Sequence, residues 1–178
     1  MALKPQDVLV LLKWALYPAR KWTVRAMAKE VGLSPGETFS CTRRLVQSRL
    51  LGETGEDGTL SPLRQNVVEF LVHGLRYSFP PERGGLTRGV PTAHGAPVLR
   101  KHFSLARGAQ LPVWPDAQGK VRGEALAPIY DSAVRAAAGD DSMYAALALI
   151  DAIRAGNARE RELAAVLLEK MVMGARQK

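Results

Sequence analysis

The sequence predicts a mainly α-helical protein with a small β-hairpin, organised in three consecutive segments. Residues 1–73 show apolar positions at helical spacing, separated by short connections that carry capping residues. Residues 74–128 hold 7 of the 11 prolines and 8 of the 16 glycines, which is typical of irregular chain with short strands. Residues 129–178 are rich in alanine and again helical in pattern, and they predict a C-terminal helical hairpin.

Two helices are expected before the first interior glycine. Pro5 suits the first turn of a helix, and Pro18 ends that helix because proline disfavours helical geometry in the residue before it. Thr23 is expected to cap a second helix over residues 24–31. Gly32 follows as the left-handed residue that terminates it.

A third helix is expected over residues 34–48, followed by a hairpin. Ser34 and Glu37 have the S-x-x-E spacing of a capping box, in which each side chain binds the other residue's backbone N–H. Residues 50–51 begin a short strand, and the glycines of residues 52–58 predict a hairpin turn.

The order of helix, glycine-containing turn, helix and strand is carried by a set of apolar and turn residues: Ala26, Ala28, Val31, Gly32, Leu33, Ser34, Pro35, Leu45, Leu50 and Leu51. This pattern resembles the winged helix-turn-helix of MarR-like and GntR-like transcription regulators, and the resemblance covers about residues 5–73. It implies that residues 1–73 form a DNA-binding domain, with the β-hairpin as the wing. Helix 34–48 would then read the major groove of double-stranded DNA.

A recognition helix packs one face in its domain and shows the other to DNA. Helical spacing places Thr38, Cys41 and Leu45 on the packed face. Arg43 and Arg44 are then expected to project outward, to guanine edges or phosphates. The predicted DNA-contacting residues are Arg25, Ser34, Gly36, Ser40, Arg43, Arg44 and Gln47.

The distribution of charge favours a polyanionic partner. The chain has 25 basic and 17 acidic residues, for a net charge of +8 and a pI near 10.0. Residues 20–49 contain seven basic and two acidic residues, a net +5 of that total. Because Lys and Arg displace counterions from phosphates, such a concentration is typical of nucleic-acid binding.

No pattern indicates an enzyme, a cofactor or a metal site. The three histidines, His73, His94 and His102, are too scattered for a metal, and no nucleophile or carboxylate pair stands out. Cys41 is the single cysteine, which excludes an intramolecular disulfide and suits a reducing cytoplasm. No signal peptide or membrane-spanning apolar run is recognised.

The remaining segments carry two weaker predictions. Residues 111–114 and 120–126 flank a turn-like stretch at 116–119, which predicts a second small hairpin. The last two helices expose more apolar surface than they can hide alone, so they are expected to pack on the first domain or on a second copy. The side chains concerned are Leu147, Ile150, Leu163, Val166 and Leu167.

The function expected from the sequence is a cytoplasmic transcription regulator or repressor, in the form of a homodimer that reads paired half-sites. One alternative is an antitoxin that represses its own operon while residues 74–178 mask a toxin. Another is a winged helix used only for protein binding. Acidic Glu53, Glu56 and Asp57 in the wing and an exposed Phe39 keep this last alternative open.

Overall fold

The structure, a computed structural model, describes residues 2–54, 58–104 and 108–174. It is about 55% helical with two small β elements, which confirms the predicted α-rich architecture. The first elements in chain order are α1 (Pro5–Leu16), α2 (Val24–Val31), α3 (Pro35–Gln47), β1 (Leu51–Thr54) and β2 (Thr59–Pro62). They are followed by α4 (Arg64–Glu69), a π-helical turn (Phe70–Gly74), α5 (Leu75–Ser78) and β3 (Arg83–Pro91). The rest comprises a 3₁₀ turn (Ala93–Gly95), α6 (Pro97–Arg100), β4 (Pro112–Pro115), β5 (Val121–Leu126), α7 (Ala133–Ala137), α8 (Asp141–Ala155) and α9 (Ala158–Gly174).

The bounds of the first three helices follow local signals in the sequence. The hydroxyl of Thr23 accepts a hydrogen bond from the backbone N–H of Ala26, as expected of an N-cap. Gly32 ends α2 with φ of 71°, a left-handed conformation that glycine adopts without steric cost. Ser34 caps α3 in the same way as Thr23 caps α2. The predicted helix bounds are confirmed here because they depend on a few neighbouring residues.

Strands β1 and β2 form an antiparallel pair directly after α3, with Leu51 opposite Pro62 and Thr54 opposite Thr59. Of the turn predicted at 52–58, residues 55–57 lie outside the described residues, and so do the wing acids Glu56 and Asp57. Glu53 is exposed on β1. A short two-stranded hairpin therefore follows the third helix.

The second hairpin predicted at 111–126 is wrong. Strands β4 and β5 run parallel to each other, and each pairs antiparallel with β3. Both strands therefore use the preceding strand β3 as their common antiparallel partner. Each of the three strands pairs with the other two, so the sheet closes on itself.

Glycines allow this sheet to close at so small a size. A Cβ on Gly89 would lie 2.0 Å from the carbonyl oxygen of Trp114, and one on Gly123 would lie 2.0 Å from that of Leu111. Such distances are far inside van der Waals contact, so only glycine lets these backbones approach. The glycines that predicted irregular chain in this segment thus include the residues that permit its strands to pack.

Helix α1 lies at the centre of the hydrophobic core. Every residue from Val8 to Ala15 is buried. The helix packs against α2, α3 and β2 on the N-terminal side and against α4, α8 and α9 further along the chain. The buried apolar residues form one cluster that extends from Val8 to Val172, so all three sequence segments contribute to a shared core.

A buried ionic network connects the two ends of this core. The Nζ atom of Lys13 on α1 lies 2.9 Å from Glu30 on α2 and 2.7 Å from Asp140, the N-cap of α8. The hydroxyl of Tyr17 donates to Asp140 at 2.6 Å. Lys13 is only 3% exposed, and these two carboxylates are the partners of its buried ammonium group.

A second buried carboxylate joins the closed sheet to α8. Asp151 is 1% exposed and accepts hydrogen bonds from Trp114 Nε1 at 2.6 Å and from the Thr92 hydroxyl at 2.8 Å. Arg154, one turn later on α8, donates to its other oxygen at 2.8 Å. Burial raises the pKa of Asp151, and Arg154 and the two neutral donors oppose that effect.

The last two helices pack against the N-terminal part of the same chain, which is one of the two arrangements expected from the sequence. Leu147 and Ile150 on α8 are buried, and α8 contacts α1. Leu163 and Leu167 are partly buried against the same core, whereas Val166 is 44% exposed. The apolar surface that motivated a homodimer is therefore largely covered within one chain. None of the helices in the described parts of the chain has the length and apolar character needed to cross a membrane.

Candidate nucleic-acid interface

Helices α2 and α3 pack against each other and are joined by the short turn after Gly32. On α3, Thr38, Cys41 and Leu45 are buried, as their spacing predicted. The opposite face of α3 is exposed and carries Gly36, Phe39, Arg43, Val46 and Gln47. This face is the part of the helix that a partner can reach.

Arg44 does not belong to that exposed face, and its prediction as a DNA-contacting residue is wrong. Its side chain is 3% exposed and turns into the core toward α1. Nε and Nη2 both donate to the carboxylate of Asp7, at distances of 2.7–3.0 Å. Nη2 also donates to Glu37 at 2.8 Å. Arg44 therefore holds α3 on α1.

The ion pair between Arg44 and Asp7 also affects the neighbouring side chains of Glu37 and Cys41. The hydrogen bond from Arg44, with one from Gln6, lowers the pKa of Glu37, so that this carboxylate stays charged. Because Glu37 binds these side chains, only the Ser34 half of the predicted capping box is found. Burial raises the pKa of the adjacent Cys41 thiol, as does the negative charge of Asp7, so Cys41 remains an unreactive thiol.

The other predicted contact residues are placed as follows. Arg25, Gly36, Arg43 and Gln47 are exposed. Ser34 is also exposed, but its hydroxyl oxygen caps α3 by accepting from Glu37 N at 3.1 Å. Ser40 is half-buried and donates to the carbonyl of Gly36 at 3.0 Å, so its hydroxyl proton is used within the helix.

The charge of this surface is more one-sided than the sequence count indicates. The two acids of residues 20–49 both turn to internal ion pairs, Glu30 with Lys13 and Arg20, and Glu37 with Arg44. Five cations of the same stretch are exposed and form no salt bridge within the described residues: Lys21, Arg25, Lys29, Arg43 and Arg49. The exposed ionic groups of α2 and α3 are therefore all basic.

Apolar side chains accompany these cations. Phe39 is 54% exposed in the first half of α3, which confirms its predicted exposure, and Val46 is 37% exposed in the second half. Val24, at the start of α2, is 38% exposed. The surface thus combines positive charge with an apolar component, a combination that serves contact with base edges or with a protein.

Sequence reasoning missed Asp7, which decides the position of Arg44. A usable signal was present, because Asp7 is an acidic residue directly before the continuous apolar run that begins at Val8. A charge in such a position needs a buried partner. Its partner is 37 residues away, at a separation that local pattern does not reveal.

Among the described residues, no group of three or more His, Cys, Asp or Glu side chains is arranged as a metal site. Comparison of the chain with protein-family models, with curated proteins and with solved structures finds no match.

Proposed function

We propose that the chain is a regulator of transcription that binds double-stranded DNA sequence-specifically, with α3 in the major groove. The two helices, their glycine turn and the following hairpin would act as a winged helix-turn-helix. The observation that carries the proposal is the sorting of charge over residues 20–49, where both acids are paired internally and five cations are exposed, three of them on α2 and α3. Such a surface, with more exposed cations than exposed acids, is attracted to phosphate.

Arg43 is the side chain proposed to read a base, because it is the exposed arginine of α3. Arg25 and Gln47 would contact phosphates or neighbouring base edges, and Gly36 would let the start of α3 approach the backbone of DNA. Arg44 is proposed to act through position alone, because it fixes the orientation of α3 against Asp7.

The test is a fluorescence-anisotropy titration of the full chain with a selected duplex and a random duplex. Binding should weaken steeply between about 50 and 200 mM salt, with a slope near 0.9 per phosphate contact. Arg43→Ala should cost about 1–3 kcal/mol on the selected duplex if Arg43 binds a guanine with both donors. The matched control is Arg122→Ala, which removes an exposed arginine from β5, outside this surface. Equal affinities for Arg43→Ala and Arg122→Ala on the selected duplex would exclude α3 as the reading helix.

A second candidate function is protein binding through the same surface, including the antitoxin form in which the partner is a toxin. The exposures of Phe39 and Val46 favour it, because exposed aromatic and aliphatic side chains on a helix often anchor a protein contact. Absence of duplex binding by the folded chain even at low salt would place this candidate first. Light scattering with and without duplex tests the proposed homodimer, which should appear as a doubled mass on DNA containing two half-sites.

A further inference from the structure

A cavity of about 430 Å³ lies where the π-helical turn and α5 face the end of α8 and the first half of α9. Its volume falls within the range of about 300–1,000 Å³ that is typical of sites for small molecules. The apolar residues that line it are Val72, Ile153, Ala158 and Ala165. The polar and charged residues that line it are His73, Arg76, Tyr77, Arg161 and Glu162. The cavity therefore combines apolar surface with several groups that can bind a polar ligand.

The backbone has an unusual conformation at one side of this cavity. Phe70–Gly74 is π-helical, and the backbone N–H of Leu75 donates to the carbonyl of Phe70, five residues earlier. Such turns are rare, and where they occur they are frequently found at functional sites. Val72 and His73 of this turn line the cavity. The rare backbone conformation and the cavity therefore coincide.

The two arginines of this cavity have unused hydrogen-bond donors, because a guanidinium group carries five N–H donors. Arg76 donates one hydrogen bond to the hydroxyl of Tyr77. Arg161 donates one to the carbonyl of Gly156 at 2.7 Å. Neither arginine forms a salt bridge with another described residue, and among the described residues that line the cavity Glu162 is the one acid. Two arginines thus accompany one carboxylate, and this excess of positive charge favours an anion with several acceptor oxygens.

Tyr77 adds an accessible aromatic ring to the same cavity. It is 72% exposed, more than any other large hydrophobic side chain that the structure describes. The guanidinium of Arg76 lies over the ring, 4.4 Å from its centre, and covers one face. Because so much of the side chain is exposed, the opposite face of the ring is open to a flat partner. A nucleobase stacks favourably on such a face.

We propose that this cavity binds a nucleoside monophosphate. The phosphate accepts hydrogen bonds from the unused donors of Arg76 and Arg161, and the exposed ring of His73 is a further donor for it. The base stacks on the open face of Tyr77. Glu162 can only accept hydrogen bonds, so its partners are the hydroxyl groups of the ribose. The lining residues all lie outside residues 20–49, so the proposal does not depend on DNA binding.

The probe is adenosine 5′-monophosphate (AMP), titrated into the full chain by calorimetry. We expect saturable binding of one AMP per chain, and this binding should weaken with added salt because the contact with phosphate is ionic. Adenosine lacks the phosphate and ribose 5-phosphate lacks the base. Each of these two compounds should therefore bind about tenfold more weakly than AMP, or weaker still.

Substitutions test the residues assigned to each part of the ligand. Tyr77→Ala removes the stacking ring and Arg161→Gln removes one cation, and each should weaken AMP binding by about tenfold or more. Arg159→Gln is the matched control, because Arg159 is exposed on the same helix but does not line the cavity. Arg43→Ala controls for binding of AMP to the basic surface of α2 and α3. Both control variants should bind AMP like the unsubstituted chain.

Circular dichroism establishes that each variant is folded, and Arg76→Gln replaces Arg161→Gln if the latter does not fold. The proposal is overturned by the absence of saturable AMP binding with Kd below about 1 mM. It is also overturned if adenosine or ribose 5-phosphate binds as tightly as AMP, or if Tyr77→Ala or the arginine variant binds AMP like the unsubstituted chain. A loss of binding in Arg43→Ala equal to that in Arg161→Gln would assign AMP to the surface of α2 and α3 and so refute the cavity. Because each readout uses small molecules alone, failure here leaves the DNA-binding proposal standing.

Discussion

Arg43 and Arg44 are neighbours in sequence, yet their replacement by alanine should affect stability very differently. Arg44 is 3% exposed and its partner Asp7 is 1% exposed. Three donor–acceptor contacts of 2.7–3.0 Å join the two side chains. In Arg44→Ala, Asp7 keeps the backbone N–H of Lys4 but loses its countercharge inside the protein. Breaking a buried pair from one side typically costs about 3–5 kcal/mol.

For a chain of this length that cost corresponds to a fall in melting temperature of about 6–20 °C. Arg43→Ala should change stability by about 0.5 kcal/mol or less, because its side chain is exposed. Urea unfolding followed by circular dichroism measures both variants on the same scale. Asp7→Ala with Arg44→Ala should cost less than the sum of the single changes, since neither charge is then left alone. Equal stabilities of Arg43→Ala and Arg44→Ala would refute the reasoning.

Three further predictions concern other parts of the fold. Asp151→Ala should destabilise the protein by about 1–3 kcal/mol for each donor left unpaired at Trp114 and Thr92. Asp151→Asn should cost less stability because it keeps an acceptor. Equal losses of stability for the two variants in thermal unfolding would contradict this prediction. Gly89→Ala should cost at least about 1–3 kcal/mol of stability because the new Cβ meets the Trp114 carbonyl. Gly36→Ala, whose new Cβ has no atom within 4 Å, should be neutral or stabilising. Chemical unfolding of the two variants measures the difference. Burial would raise the pKa of Glu30 and of Asp140, but the hydrogen bonds and the charge of Lys13 outweigh burial and lower both pKa values. On acidification these two groups therefore take up protons in the unfolded chain before they do so in the folded chain. Stability should therefore fall as the pH drops through the ordinary pKa values of 4.5 for glutamate and 3.8 for aspartate, and Lys13→Met should lose part of that dependence.

Local signals predicted α1, α2 and α3 well, because each boundary is decided by residues within one helical turn. Pro5, Thr23 and Gly32 act on their immediate neighbours, and the structure confirms each of them. The closed sheet could not be predicted in this way, since β3 precedes its partner β4 by about twenty residues and contains no clear alternation. Patterns at 111–126 therefore suggested the pairing nearest in sequence, which was the wrong one.

The prediction that Arg44 projects outward was wrong for a related reason. Helical phase correctly placed Thr38, Cys41 and Leu45 in the core, and Arg44 lies beside Leu45 on the same side. Because arginine generally prefers contact with solvent, Arg44 was nevertheless predicted to project out of the core. Only the carboxylate of Asp7, supplied by another helix, makes the buried position favourable. Pairs of this kind depend on the tertiary fold and are invisible to the periodicity of a single helix.

The central position of α1 has a consequence for how the protein is made. This helix is synthesised before the others, and its buried residues from Val8 to Ala15 leave it almost no polar face. Part of its cover comes from α8, and its Lys13 meets Asp140 across a separation of 127 residues. On the ribosome, the part of α1 that α8 covers therefore remains exposed until residues 141–155 have emerged. Folding is expected to complete late and as a single cooperative event, and nascent chains that stop before α8 are expected to engage chaperones or aggregate.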